Sequence, residues 1–195
     1  MKLAIIKYNA GNIQSVSFAL ERLGIDFVIT DDAETIRGAD KVLFPGVGEA
    51  STTMKYVRDR KLDVLIKDLT QPVLGICLGM QLMCTFSEEN STDCLGIFNE
   101  TVKRFVPKED MKVPHMGWNQ LTSVKDWIDP TVENQFIYFV HSYYVPVNQY
   151  TSAITQYINP FSAALHKDNF YAVQFHPEKS AEAGEKILKS FLERT

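Results

Sequence analysis

Residues 73–83 read VLGICLGMQLM and predict a strand that turns sharply into a helix. The apolar run ends at Cys77, and a helical pattern of apolar residues then continues to Phe86. Gly75 and Gly79 stand two residues before and two residues after the cysteine. Such a turn closes only when these two positions lack bulk, because the strand and the helix approach closely there. The stretch therefore predicts a nucleophile elbow at the carboxyl end of a buried strand.

A cysteine in such a turn is chemically activated. The turn points the sulfur of Cys77 out of the sheet, the N-terminus of the helix favours the thiolate, and the free N–H of Leu78 can face an oxyanion. The alternative is a small buried hydrophobe, which fits Cys84 and Cys94 because neither has glycines at both spacings. We interpret Cys77 as the candidate nucleophile.

The chain before this turn alternates between strands and helices. Strand patterns at Leu3–Tyr8, Phe27–Thr30 and Lys41–Phe44 are separated by helical patterns. Gly24 is placed to end the first of these helices. A repeated order of strand, helix and strand implies parallel strands with helices on both faces of the sheet.

The second half of the chain is richer in strands. Lys167–Asn169 is typical of a hairpin turn, and Ser180 is available as the N-cap of a closing amphipathic helix. The strand patterns are Thr101–Val106, Gln120–Val124, Gln135–Val145, Thr151–Ile158 and Phe170–Phe175. We predict one α/β domain, residues 1–195, with an open, mixed but mostly parallel sheet that is flanked by helices and gains antiparallel strands in the second half.

A thiolate nucleophile needs a base, and His176 is the best placed of the four histidines. It follows an apolar strand, and one proline separates it from Glu178. Residues two apart in extended chain share a face, so the carboxylate can orient the imidazole. The pattern is weak by itself and gains its weight from the candidate nucleophile. His166 is expected on the surface, whereas His115 and His141 fit either a structural or a functional role.

A second oxyanion donor is predicted on a neighbouring loop. Pro45–Gly48 leaves the third strand and can present backbone N–H groups at the carboxyl edge of the sheet, where open α/β proteins place their sites. The alternative is an ordinary strand-to-helix turn. The elbow on another strand end favours the functional interpretation, with Gly48 and Leu78 beside the oxyanion.

Composition excludes several classes of function. The 195 residues carry a net charge of -4 and no basic cluster, so we expect no nucleic-acid partner. The apolar runs are far shorter than the about 20 residues of a membrane helix, and Lys7 interrupts the apolar N-terminus before it could act as a signal peptide. The spacing of the three cysteines fits neither a disulfide framework nor a zinc site. We expect free thiols, no metal, no membrane contact and a cytoplasmic location.

Two stretches resemble the class I, triad-type glutamine amidotransferases. Residues 75–81 read GICLGMQ, and residues 174–178 read QFHPE. The resemblance implies that Cys77 attacks the side-chain amide of L-glutamine, that His176 serves as base and then as acid, and that Glu178 orients it. Ammonia is released to a synthase, and no cofactor is required.

The resemblance also implies which residues hold the substrate. The positions that match glutamine-binding ones are Gln81, Glu89, Ser142 and Tyr143. Taken singly, Gln81 fits a solvated helix residue equally well, and Glu89 fits one of two adjacent surface carboxylates. Their joint spacing favours the functional interpretation.

Further motifs are similar to one branch of this family, in which a separate (β/α)8-barrel cyclase subunit uses the ammonia in histidine biosynthesis. The matching stretches are Tyr8 with Ala10–Asn12, Ser15–Val16, Pro45–Gly48, Pro114–Asn119, Phe139–Tyr143 and Glu178–Ser180. The resemblance implies a heterodimer whose interface includes Asn12, Trp118, Asn119, Tyr138 and Lys179. We expect Trp118, in a loop after Pro114, to be an exposed anchor for the partner.

Three positions, Lys7, Asn9 and Cys94, depart from the family pattern, and none belongs to the triad. The alternative functions are a glutaminase for vitamin B6, anthranilate or GMP synthesis, a catalytically silent regulatory subunit, and a cysteine peptidase. The run at Pro114–Asn119 disfavours the first alternative, and the intact triad disfavours the second.

We also predict that activity depends on the partner, through a Gly46–Gly48 backbone that completes the oxyanion hole only in the complex.

Overall fold

The computed structural model describes residues 1–8, 11–108 and 110–195. In chain order the elements are β1 (Leu3–Ile6), α1 (Ile13–Arg22), β2 (Phe27–Thr30), α2 (Ala33–Arg37), β3 (Lys41–Gly46), α3 (Ala50–Asp59), α4 (Leu62–Asp68), β4 (Val73–Cys77), α5 (Leu78–Met83), β5 (Cys84–Ser87), β6 (Thr92–Asp93), β7 (Phe98–Arg104), β8 (His115–Gln120), β9 (Phe136–His141), β10 (Tyr143–Tyr144), β11 (Thr151–Gln156), β12 (Pro160–Lys167), β13 (Phe170–Val173) and α6 (Ala181–Arg194). Short 3-10 turns cover Glu89–Ser91, Pro130–Val132 and Pro177–Lys179. Asn9, one of the positions that depart from the family pattern, lies outside the described residues.

Seven strands form the central sheet, in the order β11-β12-β13-β4-β3-β1-β2. Strands β2, β1, β3, β4 and β13 run parallel, whereas β12 and β11 are added antiparallel at one edge. The predicted fold class is therefore confirmed. The hairpin at Lys167–Asn169 is confirmed as well, since β12 and β13 pair across it and Asp168 has a φ of 54°.

Helices cover both faces of this sheet because successive side chains of each strand point to opposite faces. Ile5 of β1 belongs to the same buried cluster as Leu20 of α1 and Phe191 of α6. Ile6 belongs to the cluster on the other face, with Ile66 of α4. Among the described residues, no helix is long and apolar enough to cross a membrane.

Two smaller sheets extend the fold. Strands β10, β7, β5 and β6 form one of them, and β8 pairs with β9 in an antiparallel hairpin-like pair that we call the β8–β9 ribbon. The prediction that Trp118 lies in a loop after Pro114 is wrong, because His115–Gln120 forms β8 by pairing residue for residue with β9. The strand predicted at Gln120–Val124 is wrong, because Gln120 is the last residue of β8 and Thr122 forms only an isolated bridge with Ile154.

The helix after Cys77 is shorter than predicted and ends at Met83. The N–H groups of Leu95, Gly96 and Ile97 take the carbonyl oxygens of residues 82–84 that a longer helix would need. The next residues instead form β5, which pairs with β6 and β7.

The closing helix α6 begins after Ser180, as predicted, but this serine does not cap it through its side chain. The hydroxyl of Ser180 donates to the carbonyl oxygen of His176 at 2.6 Å and accepts the N–H of Tyr138 at 3.0 Å. A Cβ at Gly184 would lie 2.0 Å from the carbonyl oxygen of Pro177. Helix α6 therefore packs tightly against the turn that follows His176.

Candidate active site

Cys77 ends β4 in a backbone conformation that few residues adopt. Its φ and ψ are 54° and -108°, and such strain at a non-glycine residue is typical of functional sites. A Cβ at Gly75 would lie 3.0 Å from the backbone of Gly79, and a Cβ at Gly79 would lie 1.9 Å from the carbonyl oxygen of Phe44. The two glycines therefore allow the strand, the helix and β3 to meet beneath the sulfur.

His176 and Glu178 form a buried pair. The Nδ1 atom of His176 lies 2.7 Å from Oε1 of Glu178, and both side chains are fully buried. Burial alone would lower the pKa of His176, but the hydrogen bond to Glu178 and the nearby negative charges of Cys77 and Glu178 outweigh it and raise this pKa above its ordinary value. In the part of the chain that the structure describes, Nε2 of His176 has no hydrogen-bond partner. This nitrogen is available for proton transfer.

One cavity of about 320 Å³ connects the nucleophile with the predicted substrate residues. It is lined by Val47, Gly48, Cys77, Leu78, Gln81, Glu89, Pro114, Val140, His141, Ser142, Tyr143 and His176. The volume lies at the small end of the range for small-molecule sites. All four predicted glutamine-binding residues and both predicted oxyanion residues therefore face the same space.

Gln81 and Glu89 are held by hydrogen bonds rather than solvated. Gln81 is buried, and its Nε2 donates to the carbonyl oxygen of Tyr143 at 3.2 Å. Oε2 of Glu89 accepts the N–H of Ala50 at 2.7 Å, at the start of α3. Burial raises the pKa of Glu89, although the Ala50 hydrogen bond opposes this shift. Both side chains border the cavity in fixed positions.

The loop from Pro45 to Gly48 is fixed at one end and open at the other. The hydroxyl of Tyr8 donates to the carbonyl oxygen of Pro45. A Cβ at Gly46 would lie 2.9 Å from the backbone nitrogen of Gly79, so this glycine is required for close approach. Gly48 has a φ of 110°, and within the described residues no atom beyond its two chain neighbours lies within 4 Å of its ideal Cβ position. The backbone angle therefore requires a glycine at this position.

Gln174 is a site residue that the sequence did not identify. Its Nε2 donates to Sγ of Cys77 at 3.7 Å, and its Oε1 accepts from Nε2 of Gln81 at 3.0 Å. The sequence could have identified Gln174 from its position two residues before His176, at the end of a buried strand. Burial raises the pKa of Cys94 to about 12 and that of Cys84 well above its ordinary value, so neither is an activated thiol.

The predicted interface residues do not all lie on one surface. Trp118 is 52% exposed and meets Tyr138 edge to face, with 6.1 Å between the ring centroids. Nζ of exposed Lys179 lies 5.9 Å from the centre of the Tyr138 ring. Asn119 instead points its amide inward, and Asn12 is buried at the start of α1.

Residues 5–195 match the family described as glutamine amidotransferase class-I, and the chain belongs to this family. It is 65% identical over 195 residues to imidazole glycerol phosphate synthase subunit HisH of Bacteroides fragilis, a match that covers 99% of this chain and 100% of the relative. HisH of Bacteroides thetaiotaomicron is 61% identical with the same coverage, and HisH of Haemophilus influenzae is 45% identical over 100% of this chain and 98% of the relative.

Solved structures agree on the fold. A crystal structure of a glutamine amidotransferase superimposes with a TM-score of 0.75 at 17% identity and covers 97% of both chains. A glutamine amidotransferase from Thermotoga maritima gives a TM-score of 0.66 at 15% identity, over 100% of this chain and 97% of that chain. At these identities the similarity establishes the fold alone.

Proposed function

We propose that this chain is the glutaminase subunit of an imidazole glycerol phosphate synthase. It hydrolyses L-glutamine to glutamate and ammonia through a thioester on Cys77. The single observation that carries this proposal is the convergence of the strained Cys77 and the buried His176–Glu178 pair on one cavity. Full-length relatives at 61–65% identity that are named as subunits of this synthase support the pathway.

The reaction begins with the thiolate of Cys77 and the imidazolium of His176. The sulfur attacks the side-chain amide carbon of glutamine, and the oxygen takes up the negative charge beside backbone N–H groups at Leu78 and Gly48. The C–N bond then breaks, and Nε2 of His176 gives its proton to the departing ammonia. Glu178 holds the ring through Nδ1, so the reacting nitrogen faces the cavity.

Water completes the turnover. Neutral His176 takes a proton from a water molecule, the resulting hydroxide attacks the thioester carbon, and the C–S bond breaks to release glutamate. The cysteine leaves as the thiolate, and His176 is again protonated. Gln81 and Glu89 lie on the cavity wall, where an amide and a carboxylate can bind the amino acid part of the substrate.

The ammonia passes to a (β/α)8-barrel cyclase subunit, which makes imidazole glycerol phosphate and an aminoimidazole carboxamide ribonucleotide. The partner docks on the outer face of the β8–β9 ribbon, where Met116, Trp118 and Phe136 are 68%, 52% and 57% exposed. An apolar face with an exposed tryptophan is typical of a protein interface. Lys179, beside Tyr138, supplies a positive charge at its rim.

The test measures glutamate release from glutamine by the chain alone and by its complex with the cyclase subunit and the nucleotide substrate. We expect activity in the complex and none with Cys77→Ala. Cys94→Ala is the matched control and should keep the activity, because Cys94 does not border the cavity. Turnover that survives Cys77→Ala contradicts the proposal, and so does a wild-type complex that releases no glutamate.

A further inference from the structure

Two buried histidines lie on the inner face of the β8–β9 ribbon, outside the triad. His115 and His141 are directly opposite each other in the register of β8 and β9. Nδ1 of His115 lies 3.0 Å from Nε2 of His141, and Nδ1 of His141 lies 2.7 Å from the carbonyl oxygen of Tyr143. Nε2 of His115 lies 3.3 Å from Nδ2 of Asn119. The four residues form one row of hydrogen bonds.

The row fixes the protonation of both rings. A carbonyl oxygen only accepts, so His141 carries its proton on Nδ1 and its Nε2 accepts the Nδ1 proton of His115. Nε2 of His115 is then an acceptor for the amide of Asn119. A second proton on either ring would set two donors against each other. Burial agrees with this, since it lowers the pKa of His115 to about 4 and also lowers that of His141.

The orientation of the Asn119 amide is fixed independently. Its Nδ2 also donates to the carbonyl oxygen of Gln156 at 2.8 Å, and its Oδ1 accepts the N–H of Gln120 at 2.8 Å. Turning the oxygen toward His115 would break both hydrogen bonds. Every hydrogen bond of the row is therefore donated in the same direction, from Asn119 on β8 toward the carbonyl oxygen of Tyr143.

Tyr143 connects this row to the nucleophile. Its carbonyl oxygen accepts one hydrogen of the Gln81 amide, and the other hydrogen goes to Oε1 of Gln174. Gln174 donates in turn to Sγ of Cys77. Six hydrogen bonds thus lead without a break from Asn119 to Cys77.

The same strand carries both the row and the exposed apolar face. Along β8, the inward His115 and Asn119 alternate with the exposed Met116 and Trp118. Because the two sets of residues share one short backbone, a partner that shifted β8 from its outer face would also shift the inner residues.

We infer that His115 and His141 are positioning residues of the glutaminase site, through which β8 controls the hold of Tyr143 and Gln81 on the substrate. This rests on the proposed function, because it assigns the pair a part in the glutaminase reaction. The row links docking of the partner on β8 to the amide that faces glutamine and to the nucleophile.

The test replaces His115 with phenylalanine. The ring of His115 stacks on Phe139 and Tyr157, with centroid distances of 5.0 Å and 4.0 Å, so His115→Phe keeps the packing and removes both nitrogens. Glutamate release is measured for the chain alone and for its complex with the cyclase subunit and the nucleotide substrate. We expect the rate in the complex to fall about tenfold further than the rate of the chain alone, within the usual range of coupling energies.

Equal proportional losses in the two rates would show a purely structural role and overturn the inference. His166→Phe is the matched control, because His166 also stacks on an aromatic ring, that of Tyr171 at 4.5 Å, and also contacts a carbonyl two residues along the chain, that of Asp168 at 3.0 Å. It lies outside the cavity. Stimulation by the partner should stay within about twofold of wild type, as for other changes away from a site. A loss equal to that of His115→Phe also overturns the inference.

A spectroscopic measurement separates this inference from the proposed function. Nitrogen-15 NMR of the wild-type imidazoles should show Nδ1 protonated and Nε2 unprotonated in both His115 and His141. His115→Phe should shift the ring signals of His141. A proton on Nε2 of either ring overturns the row whatever the activity. A wild-type complex with the expected ring signals but no glutaminase activity overturns the proposed function, and the positioning role with it.

Discussion

The elbow at Cys77 and the β8–β9 ribbon are held in place by different forces. The elbow lies in the middle of the seven-stranded sheet, where the absence of side chains at Gly75 and Gly79 lets three backbone segments touch. The ribbon has two strands, and polar contacts join its inner face to the site. Steric contact therefore fixes the position of the nucleophile, whereas hydrogen bonds connect it to the surface.

This difference separates two tasks. A close-packed turn has little room for a second arrangement, so we expect the nucleophile to keep its geometry with or without a partner. A ribbon with one apolar exposed face can shift when that face is covered, and hydrogen bonds transmit a shift of a few tenths of an ångström. We therefore expect the first region to serve catalysis and, as inferred above, the second to serve regulation.

The largest expected effect is on catalysis at the elbow. His176→Asn keeps a donor near the Nδ1 position for Glu178 and removes the nitrogen that faces Cys77 and the substrate. We expect the rate of glutamate release in the complex to fall about 10,000-fold, as for other triad members. His166→Asn should leave the rate within about twofold of wild type. A fall of less than about tenfold for His176→Asn would contradict its role as acid and base.

The second effect is on stability, and it is tested by replacing one glycine in each region. Gly79→Ala forces a Cβ to within 1.9 Å of the Phe44 carbonyl oxygen. Gly117→Ala in β8 meets no atom of the described residues within 4 Å, apart from its chain neighbours, and is strained by its φ of 134°. We expect urea unfolding to show a loss of more than about 3 kcal/mol for the first and about 1–2 kcal/mol for the second. Similar losses in the two variants would mean that the elbow is not more tightly packed than the ribbon.

Trp118→Ala tests the outer face of the ribbon. Removing an exposed aromatic anchor should weaken binding of the cyclase subunit by about 2 kcal/mol, or about 30-fold in Kd, and leave the unfolding midpoint unchanged. Val64→Ala on α4 is the control, since Val64 is also 52% exposed but lies on another element. Titration calorimetry measures both. Equal affinities for the two variants would place the partner elsewhere.

The fourth effect is a pH dependence of the free energy of unfolding, which arises from His115 on the inner face of the ribbon. His115 titrates near 6.5 when unfolded and at about 4 when folded, so the unfolded chain binds more protons between these values. The stabilisation that neutral His115 gives the folded state is complete above pH 6.5 and is lost as the pH falls toward 4. The free energy of unfolding should therefore fall by about 2 kcal/mol between pH 7 and pH 5 on account of His115.

His115→Phe should remove the pH dependence that is due to His115. The free energy of unfolding of the variant should therefore fall less between pH 7 and pH 5 than that of the wild type. His141, whose pKa burial also lowers, contributes with the same sign in both proteins, and His176, whose pKa is raised, contributes with the opposite sign in both, so most of each contribution cancels from the difference. Urea titrations at the two pH values measure it. Equal pH slopes for wild type and variant would contradict a neutral, buried His115.

The sequence predicted the elbow better than the ribbon for a physical reason. Two glycines around Cys77 are a local steric requirement, and local requirements are visible in the order of residues. The histidine pair depends on the register of two strands whose partners are 26 residues apart, and no local pattern reports it. Gln174 belongs to the motif at residues 174–178, but its contact with the sulfur exists only because β13 lies beside β4.

Other differences have the same origin. The hairpin turn at Lys167–Asn169 implies a strand before it, but the sequence does not predict the range of β12, which begins at a proline and forms because β11 and β13 flank it on both sides. Ser180 was predicted to cap α6 from its local position, but the N–H of Tyr138 and the carbonyl of His176 take its hydroxyl. In each case a tertiary partner competes with the local one and prevails.

The central claim is that Cys77 becomes acylated by glutamine during turnover. The direct measurement is acid quenching of the complex while it hydrolyses carbon-14 glutamine, followed by peptide mapping. The account predicts label on the peptide that contains Cys77, absent from Cys77→Ala and from the peptides that contain Cys84 and Cys94. The absence of label on Cys77 in samples quenched within the first turnover, from a wild-type complex that does release glutamate, would contradict acylation of Cys77.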